Sequence, residues 1–555
     1  VSRASNKPAP PTLLGQLTLT AFASGAAYCL YPYAKAGYGV AAFAAITATL
    51  VAVVAGMRSL WALDQMIDRL RRHRQLEGFR KSHGMAKVGD AHDAKVAGLL
   101  GDEGIILGRI GKKLARYSGE AGVLVAGRPG SWKGVAFVLL NLLKAPKPTR
   151  DIFQSYIVTD FSGELYAVSH RVLRAHGYNV LVIASEAERL GRELGVPMES
   201  VQQNPAGYLD AAAENVLEDV DAFVNLLHAG VEPGKQNGTT QHFDDLARLV
   251  LMTFSLWLLH RYGEVTLPGL RRCVMSSSDE MHCLLEAASE SDAFGSALAE
   301  SASSVLGLMA NSPEEFSGAI TTATRSVKLF AAGGPVGRQV SRHQLDWGKL
   351  KEEPTVVFLI VPPERLKSQQ QFVNLTISTS IEALVRHRSK QRVVYLLDEI
   401  GNTYIPNLME IIAGNRKNGI QPVLVLQQLE AQLARIYGKE AAREIQGNCD
   451  VLMAMSTTEL EDLKRLSELA GQETFTDGSH TLRESDEGVP EVSYTGDFKQ
   501  RPVLTTDAIR RLDRRKAVVL FGNAPAFLVD LVNYLHEPAI AKLADENPYY
   551  RKKGA

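Results

Sequence analysis

Two long uncharged runs open the chain. Residues 12–31 ("TLLGQLTLTAFASGAAYCLY") and 38–57 ("YGVAAFAAITATLVAVVAGM") hold no acidic or basic side chain. Each has roughly the 20 residues a helix needs to cross a bilayer. The "PYAKAG" between them has room only for the turn of a helical hairpin, and a charged helix follows over residues 59–82. From about residue 84 to 205, apolar β-branched runs such as "AGVLVAG", "SYIVTDF" and "YNVLVIAS" alternate with amphipathic stretches. That is the pattern of βαβ units on a parallel sheet. Between about 206 and 335 the period changes: "DAAAENVLEDVDAFVNLLHAG", "HFDDLARLVLMTFSLWLLHRYG" and "EEFSGAITTATRSVKLFAAG" place apolar residues at helical intervals, so an all-helical insertion is expected. Strands return with "TVVFLIVPP", "RVVYLLDEIG", "IQPVLVLQQ", "CDVLMAMS" and "KAVVLFGNAPAFLV". Residues 471–501 are polar, rich in Gly, Ser, Asp and Glu, and read as a mobile loop. No repeat of fixed period is visible.

Composition narrows the class. With 555 residues, 45% hydrophobic and 22% charged, the chain has the balance of a globular protein of two or three domains. The net charge is zero, so any nucleic-acid contact has to come from a local basic face. Cys29, Cys273, Cys283 and Cys449 are scattered without metal-ligand spacing, which argues against a disulfide framework and for a reducing compartment. Charge is asymmetric about the hairpin. Arg58, Arg69, Arg71, Arg72, Arg74, Arg80 and Lys81 follow the second run, against Lys35 in the turn, which puts both termini in the cytoplasm. Two spans and a basic flank do not suit a cleaved signal peptide. The competing reading is a buried, alanine-rich hairpin of a soluble core.

The chemistry begins at "VLVAGRPGSWKGVAFVLLNLL", residues 123–143, a strand, a glycine-bearing turn ending in lysine, and a helix. A P-loop has this layout because backbone N–H groups and a helix N-terminus cradle the phosphates while the lysine bridges them. Gly127, Arg128, Pro129, Gly130, Ser131, Trp132, Lys133, Gly134 and Val135 form the candidate loop. It departs from the general consensus twice: Trp132 stands for the last glycine and Gly134 for the Ser/Thr. The apolar strand "RVVYLLDEIG" ends in Asp398–Glu399. In a P-loop fold that aspartate holds Mg²⁺ through water, and the glutamate orients or deprotonates the attacking water. Gln427 and Gln428 end the next strand and are candidates for reading the γ-phosphate. Arg416, just before it, is a candidate arginine finger for a neighbouring subunit. The plain alternatives are an acidic helix cap, strand-end amides bonded to loops, and a solvated arginine.

The order of these segments resembles the TraG/TraD-like coupling proteins of type IV secretion systems, from about residue 12 to 535. "HGMAKVGDA…GLLGDEGIILGR" is similar to the family's segment before the P-loop. Ser131, Lys133 and Gly134 match the family's own loop, which commonly reads Ser-Gly-Lys-Gly, while Arg128-Pro129-Gly130 and Trp132 depart from it. "VTDFSGELYAVSHRVLRAHGYNVLVI" matches at Asp160, Gly163, Glu164 and Leu165, with Ser162 in place of a lysine. The stretch from "VVYLLDEIG" through "NRKNGIQPVLVLQQLEAQLARIYG" to "GNC" is the most specific match, and "RPVLTTDAIRRL…AVVLFGNAPAFLVDLV" also fits.

The resemblance implies an α/β fold: a RecA/FtsK-like P-loop motor domain with an inserted all-α domain and an N-terminal two-helix transmembrane hairpin. The expected divisions are 1–58 for the hairpin, 59–205 and 336–540 for the nucleotide-binding domain, 206–335 for the insertion and 541–555 for a tail. It implies a bacterial inner-membrane homo-hexamer that uses ATP and Mg²⁺. Its partners would be a relaxase with transferred, single-stranded DNA, or effector proteins, together with the secretion channel. Two other readings stay compatible with the residues. One is a substrate-receptor scaffold whose nucleotide site has decayed, motivated by Trp132 and Ser162; the other is an FtsK-like DNA translocase.

Overall fold

The computed structural model describes residues 13–37, 39–81, 86–229, 238–484 and 490–550. The chain divides into two compact units, Val1–Ala86 with Gln472–Arg501, and Lys87–Gly471 with Pro502–Ala555.

In the smaller unit, the helices Leu13–Lys35 and Gly39–Lys81 follow each other across a short turn and pack together. The second carries the predicted charged continuation without a break. Among the described residues one segment, Gly39–Leu60, is long and apolar enough to cross a membrane, with a mean hydropathy of 2.3. It leaves Val40, Phe43, Ile46 and Met57 exposed. Its hydroxyls are bonded within the helix, Thr47 to Phe43 O at 3.0 Å and Thr49 to Ala45 O at 2.8 Å, as a lipid environment requires. The expected first span is helical over Leu13–Lys35, and part of it lies outside the described residues.

The larger unit is built on a sheet. Along the chain come β1 (Val88–Gly89), β2 (Ile105–Ile110), β3 (Lys113–Tyr117), β4 (Gly122–Gly127) and β5 (Gln154–Asp160). Next are β6 (Asn179–Ile183), β7 (Thr355–Ile360), β8 (Arg392–Leu397), β9 (Ile420–Leu426) and β10 (Cys449–Met455). After β11 (Gln472–Glu484) and β12 (Pro490–Pro502), which fall in the smaller unit but for Pro502, the larger unit continues with β13 (Lys516–Phe521) and β14 (Ala526–Asp530). The order in the large sheet is β3-β2-β14-β13-β10-β4-β9-β8-β5-β7-β6, with β1 beside β14. From β10 to β6 every pair is parallel. Strands β13, β14, β2 and β3 extend the sheet antiparallel.

All six residues of β4 are buried. Val123 and Val125 join the apolar layer that includes the helical run 134–143, while Leu124 and Ala126 join the opposite layer with Phe372 and Leu375. A parallel sheet covered on both faces needs such unbroken apolar strands, which is why these strands are legible as runs. No strand lies between β6 and β7 among the described residues. Six helices run there, from Val216–Ala229 to Pro313–Val327, and their apolar faces share the second layer.

Two expectations are corrected. "KAVVLFGNAPAFLV" reads as one strand but folds into the hairpin β13/β14 around a turn at Gly522. The polar stretch 471–501, expected as a loop, supplies β11 and β12, which pair in a separate two-stranded sheet. Backbone pairing needs no apolar face, so a strand polar on both sides leaves no period to read.

Candidate nucleotide-binding site

Parallel strands align their C-terminal ends, and in open α/β sheets that edge is where ligands bind. Here β9 lies between β4 and β8, and β5 lies beyond β8. Ala126 pairs with Leu426, Leu424 with Leu397, and Leu397 with Thr159. The segment after β4 carries Lys133, that after β9 Gln427 and Gln428, and that after β8 Asp398 and Glu399, while β5 ends in Asp160. One sheet edge therefore collects every candidate of the sequence except Arg416.

The loop after β4 turns through Gly130 at φ 76° and Trp132 at φ 69°. Left-handed backbone costs a non-glycine residue roughly 1–2 kcal/mol, so the tryptophan holds the conformation that makes glycine the usual choice there. Its indole is half-buried and meets the His536 ring edge-on, 6.0 Å between centroids at 87°. Such pairs contribute about 0.5–1.5 kcal/mol, enough to offset much of that strain. The indole is thereby turned onto the segment Tyr534–His536. The helical run after the loop opens with a wide π turn, Gly134–Val138, before the α-helix Leu139–Leu143.

Lys133 Nζ donates to Gly127 O at 2.5 Å, across the mouth of the loop. Burial pushes its pKa down, and the nearby Asp398 and Glu399 carboxylates oppose that. Asp398 is displaced the other way, to about 7, chiefly by burial and then by Glu399, with Lys133 pulling it back. Part of Asp398 remains accessible, yet protein surrounds its carboxyl group closely enough for the desolvation to dominate. Its carboxylate accepts one hydrogen bond, from Glu399 N at 3.0 Å. Glu399 has φ 54°, a second left-handed non-glycine residue at this edge. Thr159 Oγ1 donates to Asp398 O at 3.0 Å and holds the peptide just before that strained residue.

The amides of Gln427 and Gln428 donate to Gln432 Oε1 at 2.8 and 3.1 Å. Leu429 N and Glu430 N donate to the Asp462 carboxylate, both at 2.9 Å. Four successive N–H groups after β9 are thus satisfied by two buried side chains, so any reading of a phosphate here falls to the Gln427 and Gln428 side chains. Arg416 lies on the turn Asn415–Asn418 that leads into β9, at the opposite end of the sheet. Its exposed side chain pairs loosely with Glu120 at 3.9 Å. It cannot reach its own chain's loop.

The residues fit a magnesium nucleotide. Ser131 Oγ in the loop and Ser456 Oγ at the end of β10 are buried without partners, Lys133 supplies a cation, and two carboxylates face it. Mg²⁺ commonly takes one or two carboxylates plus phosphate oxygens and water, so the lack of a cluster of three or more His, Cys, Asp or Glu among the described residues is no obstacle. The reading from sequence missed Thr159, Gln432 and Asp462. Thr159 bonds a partner 239 positions away and Asp462 partners 32 and 33 positions away, which the sequence does not reveal. Gln432 bonds partners only 4 and 5 positions away, but nothing in the local pattern marks it as their acceptor.

A family model described as type IV secretory system conjugative DNA transfer matches residues 87–552. The chain belongs to that family. It is 24% identical over 472 residues to the conjugal transfer protein TraG of Escherichia coli, covering 78% of this chain and 71% of that protein. Among solved structures it is similar to the bacterial conjugative coupling protein TrwBdeltaN70, with a TM-score of 0.57 and 16% identity over 81% of this chain and 94% of that one. It is similar also to the plasmid coupling protein TrwB in complex with ADP and Mg²⁺, with a TM-score of 0.55 and 15% identity over 81% and 95%. These likenesses establish a coupling-protein fold, a P-loop α/β domain on a mixed sheet.

Proposed function

We propose that this chain is the ATP-driven coupling protein of a bacterial type IV secretion system. It sits in the inner membrane on its N-terminal hairpin, with both termini and the bulk of the chain in the cytoplasm. There it assembles as a hexamer and passes a relaxase with single-stranded DNA, or effector proteins, into the secretion channel. The helices from Val216 to Val327 serve as the inserted all-α domain. A likeness to TrwB, solved with ADP and Mg²⁺, supports ATP and Mg²⁺ as cofactors; bound there, they supply the phosphoanhydride bond and the charge that stabilises its cleavage.

The residues divide the work. Lys133 and the loop Gly127–Val135 hold the phosphates, Asp398 holds Mg²⁺ through water, and Glu399 accepts the proton of the attacking water. Gln427 and Gln428 read the γ-phosphate through their side chains. Arg416, directed away from its own loop, acts on the neighbouring subunit. The single observation that carries the reading is the convergence of Lys133 with Asp398 and Glu399 at one sheet edge, from strands β4 and β8.

Full-length protein in detergent, assayed for Mg-ATP turnover with and without single-stranded DNA, tests it. Turnover stimulated by DNA and lost in Lys133→Ala is expected. The left-handed Trp132 favours one further reading, a receptor with a silenced site. Absent turnover that Trp132→Gly restores would replace the motor reading with that one.

A further inference from the structure

The short helix Ala431–Tyr437 after β9 grips the turn after β8 at three points. Arg435 Nη2 donates to Gly401 O at 3.2 Å, and Tyr437 Oη accepts from Ile405 N at 2.9 Å. The third is steric. A Cβ placed on Gly401 would lie 2.5 Å from Gln432 Oε1 and 2.6 Å from its Cδ, so position 401 is free of a side chain where Gln432 passes. That same Oε1 is the acceptor for both Gln427 N and Gln428 N. Gln432 is buried, so both N–H groups would lose their acceptor without it, at a cost in the range of a buried unmet hydrogen bond. One amide therefore touches the turn that bears Asp398 and Glu399 on one side and the end of β9 on the other.

We propose that Gln432 is a positioning residue that locks the catalytic turn after β8 to the strand end carrying Gln427 and Gln428. A change in the Gln427/Gln428 segment then moves the Glu399 turn with it, and Gly401 is the seat that makes the joint tight. This rests on the nucleotide-driven reading above for its consequence, though not for its geometry. Gln432 touches no reacting atom. Its effect falls on the rate of the chemical step rather than on nucleotide affinity, because displacing a catalytic group by about 1 Å costs up to about 100-fold.

Two measurements on the full chain in detergent test this. The first is amide hydrogen exchange. Gly401→Ala pushes the Gln432 side chain aside, so exchange at residues 427–428 should accelerate on the order of tenfold, although the substitution lies across the joint. Unchanged exchange there overturns the proposal. The second is turnover. Gln432→Leu and Gly401→Ala should each lower kcat roughly tenfold or more while affinity for a fluorescent ATP analogue stays within about twofold. The double variant should be no worse than the stronger single one, since both break one joint. Gln432→Glu, which keeps the acceptor, should recover most of the rate.

Multiplying effects, a parallel loss of affinity, or no recovery with Glu would each show Gln432 to be a merely structural residue. Coupled exchange in a wild-type protein without turnover would sink the motor reading and leave the joint standing. Gly401→Ala keeps the test open if Gln432→Leu does not fold.

Discussion

Asp398 and Asp160 are two carboxylates at the ends of neighbouring strands, both surrounded by protein and both pushed up by burial, to about 7 and about 6. Their neighbours separate them. Asp160 Oδ2 accepts from Tyr166 N at 2.9 Å, and Oδ1 accepts from Ser162 N at 3.3 Å and Ser162 Oγ at 3.4 Å. Its lone pairs are taken up in starting the helix Glu164–His176. Asp398 accepts one bond, from the amide that follows it, and its remaining capacity faces Lys133. A buried carboxylate with its hydrogen bonds met is a structural cap. The same group left partly unmet beside a lysine and a second carboxylate is what the proposed Mg²⁺ role of Asp398 requires. Burial and a raised pKa alone would not have told the two apart.

The widest separation should appear in turnover. Glu399→Gln is expected to reduce kcat by about 10²–10⁴-fold, the range for a lost general base, and Asp398→Asn to fall in the same range. Asp160→Asn keeps an oxygen to accept the helix amides and should stay within about tenfold of wild type. Equal losses at Asp160 and Asp398 in steady-state Mg-ATP assays would erase the distinction drawn between them.

A smaller effect concerns stability against pH. Folded Asp160 keeps its proton up to pH about 6, whereas an unfolded aspartate releases it near 3.9. Across that window the native state binds more protons, so this group's contribution to stability is present below about pH 4 and lost as pH rises through about 6. Asp160→Asn cannot titrate. Its melting temperature relative to wild type should therefore rise from pH 4.5 to pH 7 and then level off. A gap that stays constant would mean the carboxylate is solvated.

The smallest effect should come from Thr159→Val. It removes the hydroxyl that holds Asp398 O and keeps the shape, at about 1 kcal/mol of stability and a few-fold in kcat. A loss as large as that of Asp398→Asn would mean that the backbone anchor, not the carboxylate, governs the edge.

Much of this molecule is written in its local pattern. The buried parallel strands β4, β7 and β8 are near-continuous apolar runs, and β5 and β9 carry apolar centres, because both sheet faces are covered, and each run announces itself without its partners. The loop after β4 and the Asp398–Glu399 pair were legible for the same reason: they directly follow such runs, where glycine, lysine and paired carboxylates stand out. The strands that escaped notice are those whose signal is not apolar. Pairing of β11 with β12 is a matter of backbone bonds between polar segments, and the β13/β14 hairpin hides its turn inside one apolar stretch.

Other features were decided only in three dimensions. That Arg416 lies at the far end of the sheet follows from the direction of β9, which no local period reveals. That Trp132 adopts a left-handed backbone and rests on His536 depends on a residue some 400 positions on. Which of the two aspartates has its hydrogen bonds met within the chain depends on how many donors folding brings to it, three for Asp160 and one for Asp398. Sequence by itself determined the apolar elements that bear the site and the chemical types available there, because those are properties of neighbours in the chain. Tertiary structure decided their orientation, strain and hydrogen-bond partners, because these arise between segments that only folding brings together.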